Sequence, residues 1–157
     1  MRRGRNAGFS LIELLVVVAI VGVLAAMAIM NYLNSLERAR QKRTMADIRS
    51  IAQAWESLNS EKGSYSAAGL TFPTAVTFDQ LTTTLTPTYM RSVPKWDGWG
   101  RPLQFGSEKK LYAIRSSGRD GKYEGDDYDD GAGENPDCDI VYSNGNFVRF
   151  PEIVQKD

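Results

Sequence analysis

Between Asp120 and Asp139 the chain sets nine carboxylates against one base, Lys122, in twenty residues. They are Asp120, Glu124, Asp126, Asp127, Asp129, Asp130, Glu134, Asp137 and Asp139, with Gly121, Gly125, Gly131 and Gly133 among them. Like charges at this density repel, so the segment is either a solvated open loop or one bridged by a cation. Hard oxygen donors on a flexible glycine-rich loop suit Ca2+, which takes about six to eight oxygens, better than Mg2+ with its stricter octahedron. The EF-hand pattern does not fit. Counted from Asp126, Asp130 and Gly131 fall in place, but Tyr128 takes the third position and Asp137 the last.

A second carboxylate stands apart from these. Glu13 lies near the start of an apolar run from Phe9 to Met30, broken in polarity only by Ser10 and Glu13. An acidic side chain inside an apolar helix costs roughly 2.5–3.5 kcal/mol at the centre of a membrane, and such groups are usually paired. Two readings stand. Glu13 reaches water at the membrane edge, or it pairs with an amine created by cutting the Gly8–Phe9 bond, one helical turn away.

The rest of the inventory excludes more than it proposes. There is no histidine, which removes the commonest general base and metal ligand. The single cysteine, Cys138, allows no internal disulfide and no CxxC motif, and with no base to activate it reads as a packed or surface thiol. The glycine-rich stretch 118–133 lacks the Lys-Ser/Thr of a phosphate loop. Nothing here points to an enzyme. With 19 basic and 19 acidic residues, nothing points to nucleic acid either.

These residues must be held by a small number of elements. The run from Phe9 to Met30, helical at about 1.5 Å per residue, covers roughly 33 Å, enough for a hydrocarbon core of roughly 30 Å. It is too long for the apolar part of an ordinary secretory signal, and it has no A-x-A-like cleavage site. Beyond it, Met45, Ile48, Ala52 and Trp55 follow a 3-4-3 spacing with Ile51, Ala54 and Leu58 alongside, which is one helical face. No proline interrupts Phe9 to Ser60 and Gly63 supplies a stop, so one helix of about 50 residues is expected. Residues 64–90 read as loop with a short helix near Asp79–Leu85. Leu103–Phe105 and Leu111–Arg115 around the turn Gly106–Lys110 read as a hairpin. Ile140–Ser143 and Asn146–Phe150 around Asn144-Gly145 read as a second. The expected fold is α+β, a long N-terminal helix against a small antiparallel sheet with a C-terminal acidic loop. Its parts are a leader over 1–8, a transmembrane or filament-core helix over 9–30, and an amphipathic helix with a globular head over 31–157.

Gly8-Phe9-Ser10-Leu11-Ile12-Glu13 ahead of an apolar run resembles the processing signal of type IV pilins and type II secretion pseudopilins. The resemblance covers roughly residues 4 to 34. Ser10 replaces the commoner threonine, and Met30 stands where many members have proline. It implies that a prepilin peptidase cuts after Gly8 and methylates Phe9, and that Glu13 guides assembly. The stretch Val93-Pro94-Lys95-Trp96-Asp97-Gly98-Trp99-Gly100-Arg101-Pro102 is similar to the proline–aspartate–tryptophan–glycine loop of the major pseudopilins of type II secretion, with Gly98 where that family often has proline. Tyr112–Gly121 is similar to the strand and loop that follow it.

The pseudopilin resemblance implies one Ca2+ in the C-terminal loop, where many pilins have a disulfide. Asp120 and Asp139 match its ligand positions, and Asp126, Asp127 and Asp137 are further candidates. The implied function is a structural subunit of a type II secretion pseudopilus, polymerised through its N-terminal helix to help drive export across the outer membrane. A type IV pilus subunit used in adhesion, motility or DNA uptake is the alternative. The implied partners are further copies of the chain, a prepilin peptidase, an inner-membrane assembly platform and minor pseudopilins. The implied location is the bacterial inner membrane, crossed once, and then a periplasmic or surface filament. The leader arginines Arg2, Arg3 and Arg5 would hold the N-terminus in the cytoplasm and leave the head in the periplasm. Arg38, Arg40, Lys42 and Arg43 would lie at the outer headgroups or against neighbouring subunits.

Overall fold

The computed structural model describes residues 9–65, 75–107, 111–124, 131–133 and 135–152. It contains α1 (Leu11–Lys62), β1 (Ala75–Val76), α2 (Phe78–Leu85), β2 (Gln104–Ser107), β3 (Tyr112–Ser116), β4 (Gly131–Gly133), β5 (Ile140–Ser143) and β6 (Asn146–Pro151). The chain divides into two compact units, Met1–Leu36 and Glu37–Asp157.

In the first unit the described residues are the start of α1 and the two residues before it. Leu14 N–H donates to the Ser10 carbonyl at 3.3 Å, making Ser10 the N-cap. The Glu13 carboxylate accepts the Ser10 N–H at 2.9 Å. That is half of a capping box, and a carboxylate in the first turn also opposes the positive end of the helix dipole. The side chains from Leu11 to Leu33 are exposed and almost all apolar. By length and composition α1 can cross a membrane.

In the second unit α1 turns amphipathic, as its spacing dictates. Ile48, Ile51, Ala52, Ala54, Trp55 and Leu58 are buried on the face expected for them. The helix ends at Gly63, whose φ of 69° lets its N–H close onto the Asn59 carbonyl at 2.7 Å. The expected short helix is α2, which starts at Phe78 under a Thr77–Gln80 capping box. Both expected hairpins form, β2 with β3 and β5 with β6. In the second, Asn144 and Gly145 take φ of 48° and 94°, the left-handed pair that a tight hairpin turn needs. The first hairpin differs slightly from its sequence reading. Gly106 and Ser107 still pair with Ala113 and Tyr112, and the remaining turn positions 108–110 lie outside the described residues.

The sheet has six strands in the order β1-β2-β3-β5-β6-β4. It is not wholly antiparallel, because β4 runs parallel to β6 at the edge. β1 and β4 escaped the sequence reading for a plain reason. β1 has two residues, and Gly-Ala-Gly has no side chain that favours a strand. The core centres on Tyr112, whose ring lies 5.3 Å from that of Trp55 and 4.7 Å from that of Tyr65.

Candidate functional site

Asp97 organises the loop before β2. It is buried, and its Oδ1 accepts the N–H groups of Trp99 at 2.9 Å and Arg101 at 2.8 Å. Its Oδ2 accepts the Ser116 hydroxyl of β3 at 2.7 Å. A carboxylate holding three donors fixes the backbone of 97–101 as a tight turn, closed also by Asp97 N–H to the Arg101 carbonyl at 2.7 Å.

The same loop docks on α1. Gly98 N–H donates to Thr44 Oγ1 at 2.8 Å, and the Trp99 indole N–H donates to Glu37 Oε2 at 2.6 Å. A side chain at Gly98 would overlap the backbone carbonyl of Arg40. Position 98 therefore requires both an N–H and the absence of a Cβ. Proline would supply neither, which accounts physically for the departure from the resembled pattern.

On its far side the loop reaches the acidic segment. Arg101 donates to the Gly118 carbonyl at 2.5 Å, and its guanidinium lies against Gly121. Gly118 N–H donates to Ser116 Oγ at 3.2 Å, so one serine links Asp97 to the turn that carries Asp120. Gly118 and Gly121 take φ of 59° and 78°, and a side chain at Gly118 would meet the Cys138 carbonyl.

The expected metal residues fall in different settings. Asp120 is exposed, and its Oδ1 accepts the Lys122 N–H at 2.9 Å. Asp139 is fully buried, with Oδ2 accepting the Glu124 N–H at 3.0 Å. This bond ties the start of the acidic loop to its end. The Asp137 carboxylate is held by Arg119 at 2.5 Å. Asp126 and Asp127 lie outside the described residues. Among the described residues, no three metal-ligating side chains gather in one group.

Cys138 is fully buried beside Gly133 and Arg149. Burial pushes its thiol up, and Arg149 only partly opposes that, so it is an inert packed thiol.

At the N-terminus, Phe9 is exposed and Glu13 caps α1 through Ser10, while Gly8 lies outside the described residues. The cap had a signal that the sequence reading passed over, since Ser10-Leu11-Ile12-Glu13 has the Ser-x-x-Glu spacing of a capping box. The roles of Asp97 and Arg101 had none, because their partners Ser116 and Gly118 come from another strand and turn.

Two family models match the chain. The one described as the prokaryotic N-terminal methylation motif matches residues 3–29. The one described as type II secretion system (T2SS), protein G, matches residues 31–134. No curated protein and no solved structure matches.

Proposed function

Because the chain belongs to the type II secretion system protein G family and is a structural subunit of the secretion pseudopilus rather than an enzyme, we propose that it is cut after Gly8, methylated on Phe9, and polymerised through the first part of α1. The carrying observation is Glu13 capping the helix five residues into the would-be mature chain, directly before an exposed apolar span. In the uncut chain Glu13 accepts a backbone N–H of its own helix. Cutting at Gly8–Phe9 places a new amine within one turn, and a carboxylate in an apolar setting favours such a charged partner. The head stands on the periplasmic side, with the leader arginines in the cytoplasm. Its partners are a prepilin peptidase, an assembly platform, minor pseudopilins and further copies of the chain.

The intact mass of the membrane-extracted protein tests the processing. Loss of residues 1–8 with one added methyl group is expected, and any other N-terminus refutes it. Glu13→Ala should leave the subunit inserted yet poor at forming filaments. Normal filament yield would make Glu13 a capping residue only.

Ca2+ binding in the acidic loop is part of the same proposal, with Asp139 and Asp120 as the ligands and Asp126, Asp127 and Asp137 as further candidates. The donor set is of the right chemistry, since Asp139 is a wholly buried carboxylate at the foot of a loop rich in acids. Asp137 would join only by leaving Arg119. Bound Ca2+ would cross-link the two ends of the loop. Titration calorimetry on the full chain in detergent tests this, with Asp120→Ala and Asp139→Ala each expected to remove most of the heat. No heat, with equal stabilisation by Ca2+ and by sodium chloride at matched ionic strength, would leave a solvated acidic loop.

A further inference from the structure

The three tryptophans of the chain meet different fates. Trp55 donates its indole N–H to the Tyr65 carbonyl at 2.8 Å, and Trp99 donates to Glu37 at 2.6 Å. Trp96 is 52% exposed, and its indole N–H meets no acceptor among the described residues. The backbone beneath it is fixed. Trp96 bridges to Pro102, the Leu103 N–H donates to the Lys95 carbonyl at 3.0 Å, and the neighbouring Asp97 holds the turn that follows. An apolar ring with an uncovered polar tip, held on a rigid edge, has the character of residues that collect where lipid meets water.

Cations stand around it. The Lys95 ammonium lies 5.3 Å from the centre of the Trp96 ring and 5.2 Å from that of Phe78, and it has no ion-pair partner among the described residues. Arg91, exposed on the same segment, has none either. From Thr86 to Leu103 the single acid is Asp97, which is buried and already holds three donors. The surface of this segment is therefore aromatic and positive, with no exposed negative charge.

The segment is fastened to α1 close to the end of the apolar run. Trp99 holds Glu37, and Gly98 holds Thr44. Glu37 follows Leu33, the last exposed large apolar side chain of α1, by four residues. Four residues cover about 6 Å as helix and at most about 14 Å in any conformation. The polar layer outside the hydrocarbon is about 5–8 Å thick on each side. Tyr32, exposed beside Leu33, is of a residue type enriched at that same boundary.

We propose that the Lys95–Trp96 edge is a second membrane anchor, seated in the headgroup layer of anionic phospholipid. The indole N–H donates to a phosphate or ester oxygen, and Lys95 and Arg91 face the phosphates. Each cation near an anionic surface raises affinity about fivefold, which selects anionic over neutral lipid. This anchor rests on the reading of α1 as a membrane span and goes beyond it. A spanning helix fixes depth, whereas rotation about its axis is set by packed neighbours or by interfacial aromatic and basic anchors. The edge would give every unassembled subunit one rotational setting in the membrane.

Quenching of tryptophan by lipid tests the contact. The full chain is reconstituted in vesicles of equal parts phosphatidylcholine and phosphatidylglycerol, with a nitroxide at a shallow acyl position. The Trp96 signal is the difference between the parent and Trp96→Phe, a change at an exposed side chain. It should fall about twofold or more in these vesicles and much less in pure phosphatidylcholine. Arg91→Glu/Lys95→Glu keeps every tryptophan and should restore most of the signal, as should screening by sodium chloride. Resistance to alkaline extraction tests the span separately. A chain released by alkali would overturn the span and the anchor together. An inserted chain whose Trp96 ignores the nitroxide, and is as open to aqueous iodide in vesicles as in detergent, would overturn the anchor alone. Quenching unmoved by charge reversal would overturn the assignment to anionic lipid. Iodide protection that follows protein density rather than phosphatidylglycerol would assign the edge to another copy of the chain, and the proposal would be wrong.

Discussion

Replacing Asp97 by alanine should destabilise the head by about 3–4.5 kcal/mol. The carboxylate accepts three hydrogen bonds, from the N–H groups of Trp99 and Arg101 and from the Ser116 hydroxyl, at 2.9, 2.8 and 2.7 Å. Bonds to a charged group contribute about 1.5–3 kcal/mol each, and a donor left buried without a partner costs about 1–3. Trp99 and Arg101 are half-buried, so water replaces part of what is lost, and the lower end applies to each bond. A domain of this size has about 5–15 kcal/mol in hand, so the loss takes a large share of it. Asp97→Asn keeps the shape and both backbone bonds. Its amide can donate to Ser116 Oγ, which rotates to accept, so about 1 kcal/mol is expected. Denaturation of the full chain in mild detergent, followed by near-ultraviolet circular dichroism, measures both. Alanine should also release the Trp99–Glu37 bond and shift the tryptophan emission. Alanine within about 0.5 kcal/mol of the parent, or asparagine as harmful as alanine, would refute the view that this carboxylate holds the loop together.

Three further outcomes follow from the same geometry. Gly98→Ala should cost about 2–3 kcal/mol, because the new methyl group overlaps the Arg40 carbonyl and drives the loop off Thr44; unchanged melting would contradict the close approach. The Tyr112 hydroxyl is raised above its ordinary 10.0, first by burial and then by its bond to Glu56, so its stabilising contribution is complete below about pH 10 and is lost above it; Tyr112→Phe should flatten that alkaline limb of a melting-temperature profile. Cys138 should resist alkylation at neutral pH in the folded chain and react promptly in denaturant, and fast labelling of the native protein would place the thiol at the surface.

Much of the fold was legible because its signals are local. One uninterrupted periodic segment ending at Gly63 gave α1, and Asn144-Gly145 between two alternating runs gave the β5–β6 hairpin. What escaped depends on partners distant in sequence. β4 is a strand only because β6 lies beside it, and its own residues argue against the assignment. The site was legible in the same proportion. Gly8, Phe9 and Glu13 lie within the stretch 3–29 that the N-terminal methylation model matches, and their spacing ahead of an apolar run is a local signal. The acidic residues announce a charge problem without saying which of them turns inward, and only the fold separates the buried Asp139 from the exposed Asp120. Asp97 looked like one more loop acid until Ser116 was brought beneath it.

The parallel pairing of β4 with β6 has a consequence for the order in which the head can assemble. β4 precedes β5 in the chain, yet its partner is the strand beyond the hairpin turn, so the 131–133 segment has nothing to pair with until Asn146–Pro151 is in place. The Gln41 side chain waits for the same event, since its amide donates at 2.7 Å to the carbonyl of Pro151, 110 residues away. Contacts of such separation form late and slowly, because loop-closure entropy precedes any return from the contact. A chain made N-terminus first would therefore hold its head open until its last strand is complete. Truncation just before Pro151 would do more than trim an end: it would strand a buried amide on α1 and remove the partner of Gly133 at the end of β4. The head is thus a structure closed from its far end, with its last strand serving as the latch for both the sheet edge and α1.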